Sequence, residues 1–281
     1  MPRFDVHQHL YPPSLIDALR ARRETPRLDG DRLELREGSF PFDARAHDLD
    51  ARLAVLDESG IDVAVISLPP TLETEEHPEL EAAYNEGIAA LAAAADGRLR
   101  ALAAGACLDG FAGVCVSAEA VVRGLGELPG ELAAAGQALF VHPGPPAALP
   151  PGAPPWWAAV VDYPAQMQAA YLAWLAGDAQ RHPALAAVFA ILAGGGPFQF
   201  ERLQLRGPGP PAEARANAYL DTSSYGPRSL ELCRAACGAG RLVFGSDFPV
   251  LAIDATLQAV ADLGDDAVDA VVSDNPARLF P

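Results

Sequence analysis

The chain of 281 residues contains no lysine, and all 20 of its basic residues are arginine. Without lysine there is no Schiff-base nucleophile and no anchor for pyridoxal phosphate. A Walker-type lysine that binds phosphate is excluded as well, and so is a carbamylated lysine that bridges two metal ions. This one absence removes several classes of enzyme site. It also leaves arginine as the only fixed cation that can hold an anionic substrate.

Positive charge and cysteine are also scarce. The 20 arginines oppose 37 Asp and Glu residues, which gives a formal net charge of -17. Because phosphate binding requires clustered cations, we expect no nucleic-acid partner and no anionic membrane partner. Only four cysteines are present. We recognise no basic and apolar leader, and no uncharged run reaches the roughly 20 residues of a membrane span. We expect a cytoplasmic protein with reduced thiols.

Short apolar runs alternate with longer helical patterns, which is typical of βα units around a parallel sheet. We expect a single domain over residues 1–281, because α/β barrels of about 250 residues form one domain. Residues 14–46 are rich in Arg, Asp and Glu and are expected to form an insertion with a helix and a hairpin. The third and fourth strands, 99–104 and 113–116, are about eight residues apart, whereas a parallel crossover usually needs a dozen or more. Either one barrel helix is missing there or a strand assignment is wrong.

Three histidines and one aspartate lie at the ends of predicted strands. His7 and His9 are two residues apart at the end of the first strand, so both point to the same side of the sheet. His142 ends a middle strand, and Asp247 follows the last one. In a closed parallel barrel these ends share the face that carries active sites. Three imidazoles and a carboxylate predict a site for one divalent ion, with zinc as the first expectation and manganese as the second.

Five segments spread over essentially the whole chain resemble those of a known family, and they are FDVHQH (4–9), FVHP (140–143), GGGPFQF (194–200), FGSDFP (244–249) and NPARLF (275–280). They are similar, in the same order, to segments of the amidohydrolase 2 branch of the amidohydrolase superfamily, which includes aminocarboxymuconate-semialdehyde decarboxylase and resorcylate-type decarboxylases. The resemblance implies a (β/α)8 barrel, one divalent metal ion, a homodimer, and nonoxidative decarboxylation or hydrolysis of small carboxylated compounds. It also implies that the metal ligands are His7, His9, His142 and Asp247.

One position departs from the family pattern. Members of the family have a histidine immediately before the triple glycine, generally regarded as the catalytic acid or base, and Ala193 stands there in this chain. A methyl group cannot transfer a proton, and general acid–base assistance is typically worth about 10²–10⁴ in rate. Either another residue substitutes, or the reaction needs no such histidine, or the protein keeps the metal without catalysis. The candidate substitutes are Tyr11, Ser67, Cys115, Gln199, Ser223, Tyr225 and Asp247, which can relay a proton while it binds the metal.

The resemblance also implies residues for the substrate. Arg36 resembles the arginine that grips a substrate carboxylate through a bidentate guanidinium, and an exposed hairpin arginine is the alternative. Trp156 stands where relatives have a pocket tryptophan, and Arg202 lies near a second family arginine at a different spacing. We expect a metal-dependent lyase of the decarboxylase kind with a small, planar, anionic substrate. The alternatives are a hydrolase of the same superfamily, a dehydratase or cyclase, and a catalytically silent binding protein.

Overall fold

Eight parallel strands form a barrel in the computed structural model, which describes residues 1–147, 149–210 and 212–281. These strands follow one another around the barrel in chain order, and three further strands form a separate antiparallel sheet, β2–β4. In chain order the strands are β1 Phe4–His9, β2 Arg27–Asp29, β3 Arg32–Leu35, β4 Gly38–Pro41, β5 Val63–Ser67, β6 Leu99–Ala104, β7 Gly113–Ser117, β8 Ala138–His142, β9 Ala187–Phe189, β10 Ala218–Asp221 and β11 Leu242–Val243.

Backbone hydrogen bonds between β1 and the segment after β11 close the barrel. The His9 N–H donates to the Phe248 carbonyl (2.7 Å), and the Asp247 N–H donates to the His7 carbonyl (2.8 Å). Because the barrel has no open edge here, the carboxyl ends of its strands meet on one face. The predicted (β/α)8 architecture is confirmed.

Helices surround the barrel. They are α1 Pro13–Ala21, α2 Leu49–Ser59, α3 Pro78–Ala94, α4 Ala118–Arg123, α5 Leu128–Ala135, α6 Tyr163–Ala176, α7 Asp178–Arg181, α8 Phe200–Arg206, α9 Pro227–Cys237, α10 Ile253–Ala261, α11 Asp265–Asp269 and α12 Asn275–Leu279. On α3 the buried residues Leu80, Tyr84 and Ile88 are four apart, so a single face of the helix packs inward. Within the described residues, no helix combines the length and the apolar character that crossing a bilayer requires.

The connection between β6 and β7 contains no helix. The two strands pair in parallel, with Leu102 opposite Gly113, and residues 105–112, all of them described, join them without helical structure. The strand assignment from the sequence is therefore confirmed, and a missing barrel helix explains the short connection. The Ala112 N–H donates to the Ala101 carbonyl (2.9 Å), which brings the loop directly back to the neighbouring strand.

The insertion after β1 forms a helix, α1, and the antiparallel sheet β2–β4. The sequence predicts a helix and a hairpin, which is right for β3 and β4 but omits β2. Strand β2 has only three residues and a single apolar one, Leu28, so it carries no alternating pattern. The buried ring of His47 stacks on Tyr11 and on Phe42, each at a centroid distance of 4.7 Å, and so attaches the end of the insertion to the segment after β1.

A left-handed turn follows β9, where the sequence predicts that the strand continues to residue 192. The strand ends at Phe189, and residues 191–195 have φ between +45° and +76°. For Ile191, Leu192 and Ala193 this conformation costs roughly 1–2 kcal/mol per residue. Three such residues in succession show that tertiary packing, and not local preference, fixes the turn.

Gly194 allows a close backbone approach between this turn and α6. A Cβ atom built on Gly194 (φ +58°) would collide with the carbonyl oxygen of Pro164. The backbone of the turn therefore packs directly on the first turn of α6.

We expect Gly194→Ala to destabilise the protein much more than Gly126→Ala. Both glycines have φ +58°, but a Cβ on Gly126 would meet nothing within 4 Å. Gly126→Ala therefore measures the cost of the backbone conformation, about 1 kcal/mol, whereas Gly194→Ala adds a collision and is expected to cost about 3 kcal/mol or more. Equal losses of unfolding free energy in urea would show that α6 does not pack tightly on the turn.

Candidate metal centre

Four potential metal ligands converge at the carboxyl face of the barrel. His7 and His9 project from β1, His142 ends β8, and Asp247 follows β11. One ligand atom of each residue lies within 4.8 Å of the others. The three imidazoles are buried, and the Asp247 side chain is 16% exposed. The structure thus brings together the four residues predicted from the sequence, His7, His9, His142 and Asp247.

The spacing of these ligand atoms fits a single ion. His9 Nε2 lies 3.3 Å from His7 Nε2 and 3.1 Å from Asp247 Oδ1. Asp247 Oδ1 lies 3.5 Å from His7 Nε2. Nitrogen and oxygen ligands bound at about 2.0–2.2 Å to one tetrahedral or octahedral ion are themselves roughly 3 Å apart. The cluster can therefore hold one divalent metal ion.

Hydrogen bonds to the far ring nitrogens orient two of the imidazoles. His9 Nδ1 lies 3.0 Å from the Ser67 carbonyl oxygen, and His142 Nδ1 lies 2.8 Å from the Pro143 carbonyl oxygen. A carbonyl oxygen only accepts, so we assign the ring proton to Nδ1 in both histidines. Each Nε2 then directs its lone pair into the cluster, as a metal ligand requires.

A buried aspartate, Asp221, orients His7. Its Oδ2 lies 2.6 Å from His7 Nδ1, and its Oδ1 accepts from the Ser223 hydroxyl (2.6 Å) and the Ile191 N–H (3.0 Å). A carboxylate in this position fixes the imidazole ring and increases its basicity. Asp221 is not among the site residues predicted from the sequence. The available signal was its place at the end of β10, on the same barrel face as the ligands.

The two carboxylates favour positive charge in the cluster. Burial lowers the pKa of His7, but Asp221 and Asp247 outweigh burial and raise that pKa to about 9. Burial raises the pKa of Asp247, but the neighbouring imidazoles outweigh it and lower that pKa overall. Burial and the other two imidazoles lower the pKa of His142 well below its ordinary value. Imidazole donors in anionic surroundings are suited to a bound cation.

A buried arginine, Arg52, supports the end of β1. Its guanidinium donates to the side-chain oxygen of Gln8 (2.9 Å) and to the His9 carbonyl (2.9 Å). Gln8 donates to the buried Asp5 (2.8 Å), which also accepts from the Ser246 N–H (2.9 Å). This network connects β1 to the segment after β11. It therefore fixes the positions of His7 and His9 relative to Asp247.

The three residues predicted to bind substrate have different surroundings. Arg36 lies at the turn between β3 and β4, where its half-exposed side chain forms an ion pair with the buried carboxylate of Glu73. Trp156 is 54% exposed and stacks on the next tryptophan. Arg202 is exposed on α8. The hydrogen bonds and ion pairs found within the described residues link none of the three to the four-ligand cluster.

The position of the family histidine holds a buried methyl group, that of Ala193. Among the candidate substitutes, the Ser67 hydroxyl lies 3.3 Å from His9 Nδ1, and the Ser223 hydroxyl donates to Asp221 and lies 3.3 Å from His7 Nδ1. Burial raises the pKa of the Cys115 thiol, so it stays protonated. The other candidates are Tyr11, Gln199 and Tyr225. In the part of the chain that the structure describes, none of the three forms a hydrogen bond with the side chain of a proposed ligand.

Comparison with known proteins gives the family. The amidohydrolase 2 family model, described as amidohydrolase, matches residues 4–281. The chain belongs to the amidohydrolase family. Membership confirms the resemblance found in the motifs, and it makes the protein an enzyme of the metal-dependent lyase or hydrolase kind. A search of curated protein sequences gives no significant match.

Solved structures share the fold of this amidohydrolase over its full length. IDCase from Metarhizium anisopliae is 22% identical with a TM-score of 0.82, and the match covers 99% of this chain and 97% of that chain. A 5-carboxyvanillate decarboxylase from Sphingomonas paucimobilis is 19% identical with a TM-score of 0.74, covering 100% and 99%. A dihydroxybenzoic acid decarboxylase from Polaromonas sp. JS666, solved with manganese and the inhibitor 2-nitroresorcinol, is 18% identical with a TM-score of 0.71, covering 99% and 96%.

We expect Asp221→Asn to weaken metal binding by about 10–100-fold, because it removes the carboxylate that orients His7. Competition with a chromophoric chelator measures the affinity for Zn²⁺ or Mn²⁺. Asp254→Asn, at an exposed aspartate in the first turn of α10, is the matched control and should bind the ion like the wild type. If the two variants bind equally well, Asp221 does not support the metal centre.

Proposed function

We propose that this amidohydrolase is a metal-dependent lyase that removes carbon dioxide from a small, planar, carboxylated substrate. The observation that carries the proposal is the convergence of four ligand atoms within 4.8 Å at the carboxyl face of the barrel. Neighbours of the same fold support the type of reaction, because they include 5-carboxyvanillate and dihydroxybenzoic acid decarboxylases.

His7, His9, His142 and Asp247 would hold one divalent ion in this proposal. Zinc suits three imidazoles and a carboxylate, and manganese gains support from a neighbour solved with that metal. When bound, the ion supplies the Lewis acidity that polarises a carboxylate or carbonyl oxygen. The protein's contribution is to hold the three rings in the right tautomer and to keep the cluster largely shielded from solvent.

Arg36, Trp156 and Arg202 are the proposed contacts for the substrate. Arg36 would exchange its present partner, Glu73, for the substrate carboxylate, to which a guanidinium binds through two parallel hydrogen bonds. The half-exposed ring of Trp156 offers a flat apolar face to a planar substrate. Asp247 is the most exposed of the four proposed ligands and is assigned a proton relay in addition to metal binding.

The proposal extends to the setting of the reaction. By the family resemblance the enzyme would act as a homodimer, and by its composition it would work in the cytoplasm. Its partner would be a small anionic molecule, without nucleic acid or membrane, since the formal charge of -17 opposes binding to polyanions.

Ala193 favours a second candidate, a catalytically silent binding protein. Its buried methyl group occupies the position of a family acid or base, so this chain could bind the ion and a small carboxylate without turnover. Hydrolysis and a dehydratase or cyclase step remain alternatives within the same enzyme class. They differ from decarboxylation in the mass of the product.

We expect the purified protein, loaded with Mn²⁺ or Zn²⁺, to release carbon dioxide from members of a panel of hydroxybenzoates and other planar carboxylates. Mass spectrometry should find a product lighter by one carbon dioxide, whereas hydrolysis adds a water and dehydration removes one. His142→Ala should lose both the ion and the activity, because it removes a ligand. His182→Ala changes a half-buried histidine after α7 and should lose neither.

Two outcomes would contradict this proposal. Loaded protein that binds panel members without converting any of them would favour the silent binding protein. His142→Ala that decarboxylates as fast as the wild type would show that the four-ligand cluster does not carry the reaction.

A further inference from the structure

Glu37 places a carboxyl group at the turn between β3 and β4 with one of its oxygens unpaired. Glu37 Oε1 accepts a hydrogen bond from the Tyr163 hydroxyl (3.0 Å). Glu37 Oε2 is buried and has no hydrogen-bond partner among the described residues. A buried oxygen without a partner is unfavourable when it carries charge. The position therefore favours a proton on Oε2 or a ligand beside it.

Tyr163 connects Glu37 to the turn that contains Ala193. Tyr163 is the first residue of α6, and the carbonyl of the next residue, Pro164, packs against Gly194. In this backbone contact, Tyr163 directly precedes Pro164 in the chain, and Ala193 directly precedes Gly194. Tyr163, the donor to Glu37, thus begins the helix whose backbone packs on the turn where family members carry their histidine.

The charge of Asp247 reaches the same pair. Burial raises the pKa of Tyr163, and the negative charges of Glu37 and Asp247 raise that pKa further. The same two carboxylates raise the pKa of Tyr11, which burial has already increased. The insertion that carries Glu37 follows the carboxyl end of β1, where His47 stacks on Tyr11, and Asp247 follows the carboxyl end of β11. Glu37 and the proposed ligand Asp247 therefore both belong to segments at the carboxyl end of the barrel.

The surroundings of Glu37 favour its protonated form. Burial raises the pKa of Glu37, and the nearby carboxylate of Glu73 raises it further. The backbone N–H of Glu37 itself, the hydrogen bond from Tyr163 and the charge of Arg36 act in the opposite direction, and together they do not cancel the effect of burial. A carboxyl group that keeps its proton at higher pH than an exposed glutamate is suited to act as a general acid.

We propose that Glu37 is the general acid of the decarboxylation, in the role that Ala193 cannot fill, and that Tyr163 is its positioning residue. This inference rests on the proposed function. As the bond between the substrate carbon and its carboxylate breaks, carbon dioxide leaves and the electron pair of that bond stays on the carbon. The pair takes the proton from the Glu37 carboxyl group. The resulting Glu37 carboxylate then regains a proton from water.

Glu37→Gln tests this proposal, and Glu34→Gln is the matched control. Glu34 lies on β3 and accepts from the Ser39 hydroxyl, a bond that glutamine also accepts. In metal-loaded protein we expect Glu37→Gln to lower kcat by about 10²–10⁴ with metal content unchanged, because an amide cannot donate the proton in its place. Glu34→Gln should keep the wild-type kcat.

The pH profile separates a proton donor from a merely structural residue. In the wild type, kcat should fall as the pH rises above the pKa of Glu37, because only the protonated group donates. Glu37→Gln should lack this alkaline limb. Tyr163→Phe removes a hydrogen bond that lowers the pKa of Glu37, so it should move the limb to higher pH.

Two further measurements distinguish a proton donor at residue 37 from a residue with only a structural role. Ala193→His in the Glu37→Gln background should restore part of the activity, since histidine tolerates a left-handed backbone better than most residues.

Carbon-detected NMR titration of the glutamate carboxyls needs no turnover. It should show a signal that titrates above the usual value of about 4.3 in the wild type and in Glu34→Gln and that is absent from Glu37→Gln. Burial also raises the pKa of Glu81, whose signal should persist in all three proteins.

The possible failures are distinguishable. If the wild type decarboxylates and Glu37→Gln is as active as Glu34→Gln, or keeps the alkaline limb, Glu37 is not the general acid and the proposed function stands. If the wild type converts no member of the panel, the proposed function fails, and the inference fails with it.

Discussion

The hydrogen bonds that join β1 to the segment after β11 are the constraint on which the candidate site depends. His7 and His9 come from the beginning of the chain and Asp247 from near its end, and only closure of the barrel places them within bonding distance of one ion. The buried Asp5 strengthens the same junction, because it accepts from the Ser246 N–H as well as from Gln8. The contacts that close the barrel therefore also determine the geometry of the candidate site. A change that opens this junction disperses the ligands.

Much of the metal centre could be predicted from the sequence, because each of its four ligands ends or follows an apolar strand. The periodicity of a strand then determines the side to which its terminal residues point. Asp221 could not be predicted in the same way. Its contribution is a 2.6 Å contact with a histidine 214 residues away, and nothing near Asp221 in the chain encodes that distance. The same holds for Glu37, whose neighbours in the sequence are those of an ordinary polar hairpin.

The fold shows the same division between local and tertiary information. Helix α2 follows from local signals, since Asp48 caps its start and Gly60 (φ 65°) ends it. The turn after β9 does not, because Ile191 and Leu192 have the composition of a strand but adopt left-handed backbone. Packing against α6 overrides their preference there. The error in the length of β9 thus marks the part of the chain where the family histidine is replaced by alanine.

Charge links the composition to the site. The chain has no lysine to bridge two metal ions, and within the described residues the three imidazoles and the carboxylate of the cluster are placed to hold a single ion. The second carboxylate, Asp221, acts through His7 and increases the negative character of the cluster. Arginine alone supplies fixed positive charge, and Arg36, next to Glu37 in the chain, brings it to the insertion. In the proposed mechanism, one short turn would thus supply both a cation for an anionic substrate and a carboxyl group that donates a proton.

The most direct test of a mononuclear metal centre is anomalous diffraction from crystals of the protein loaded with Mn²⁺, recorded on both sides of the manganese absorption edge. We predict one peak per chain, bonded to Nε2 of His7, His9 and His142 and to a carboxylate oxygen of Asp247. The bond lengths should be about 2.0–2.2 Å. A cluster without a peak, or a peak bound by other residues, would contradict this assignment.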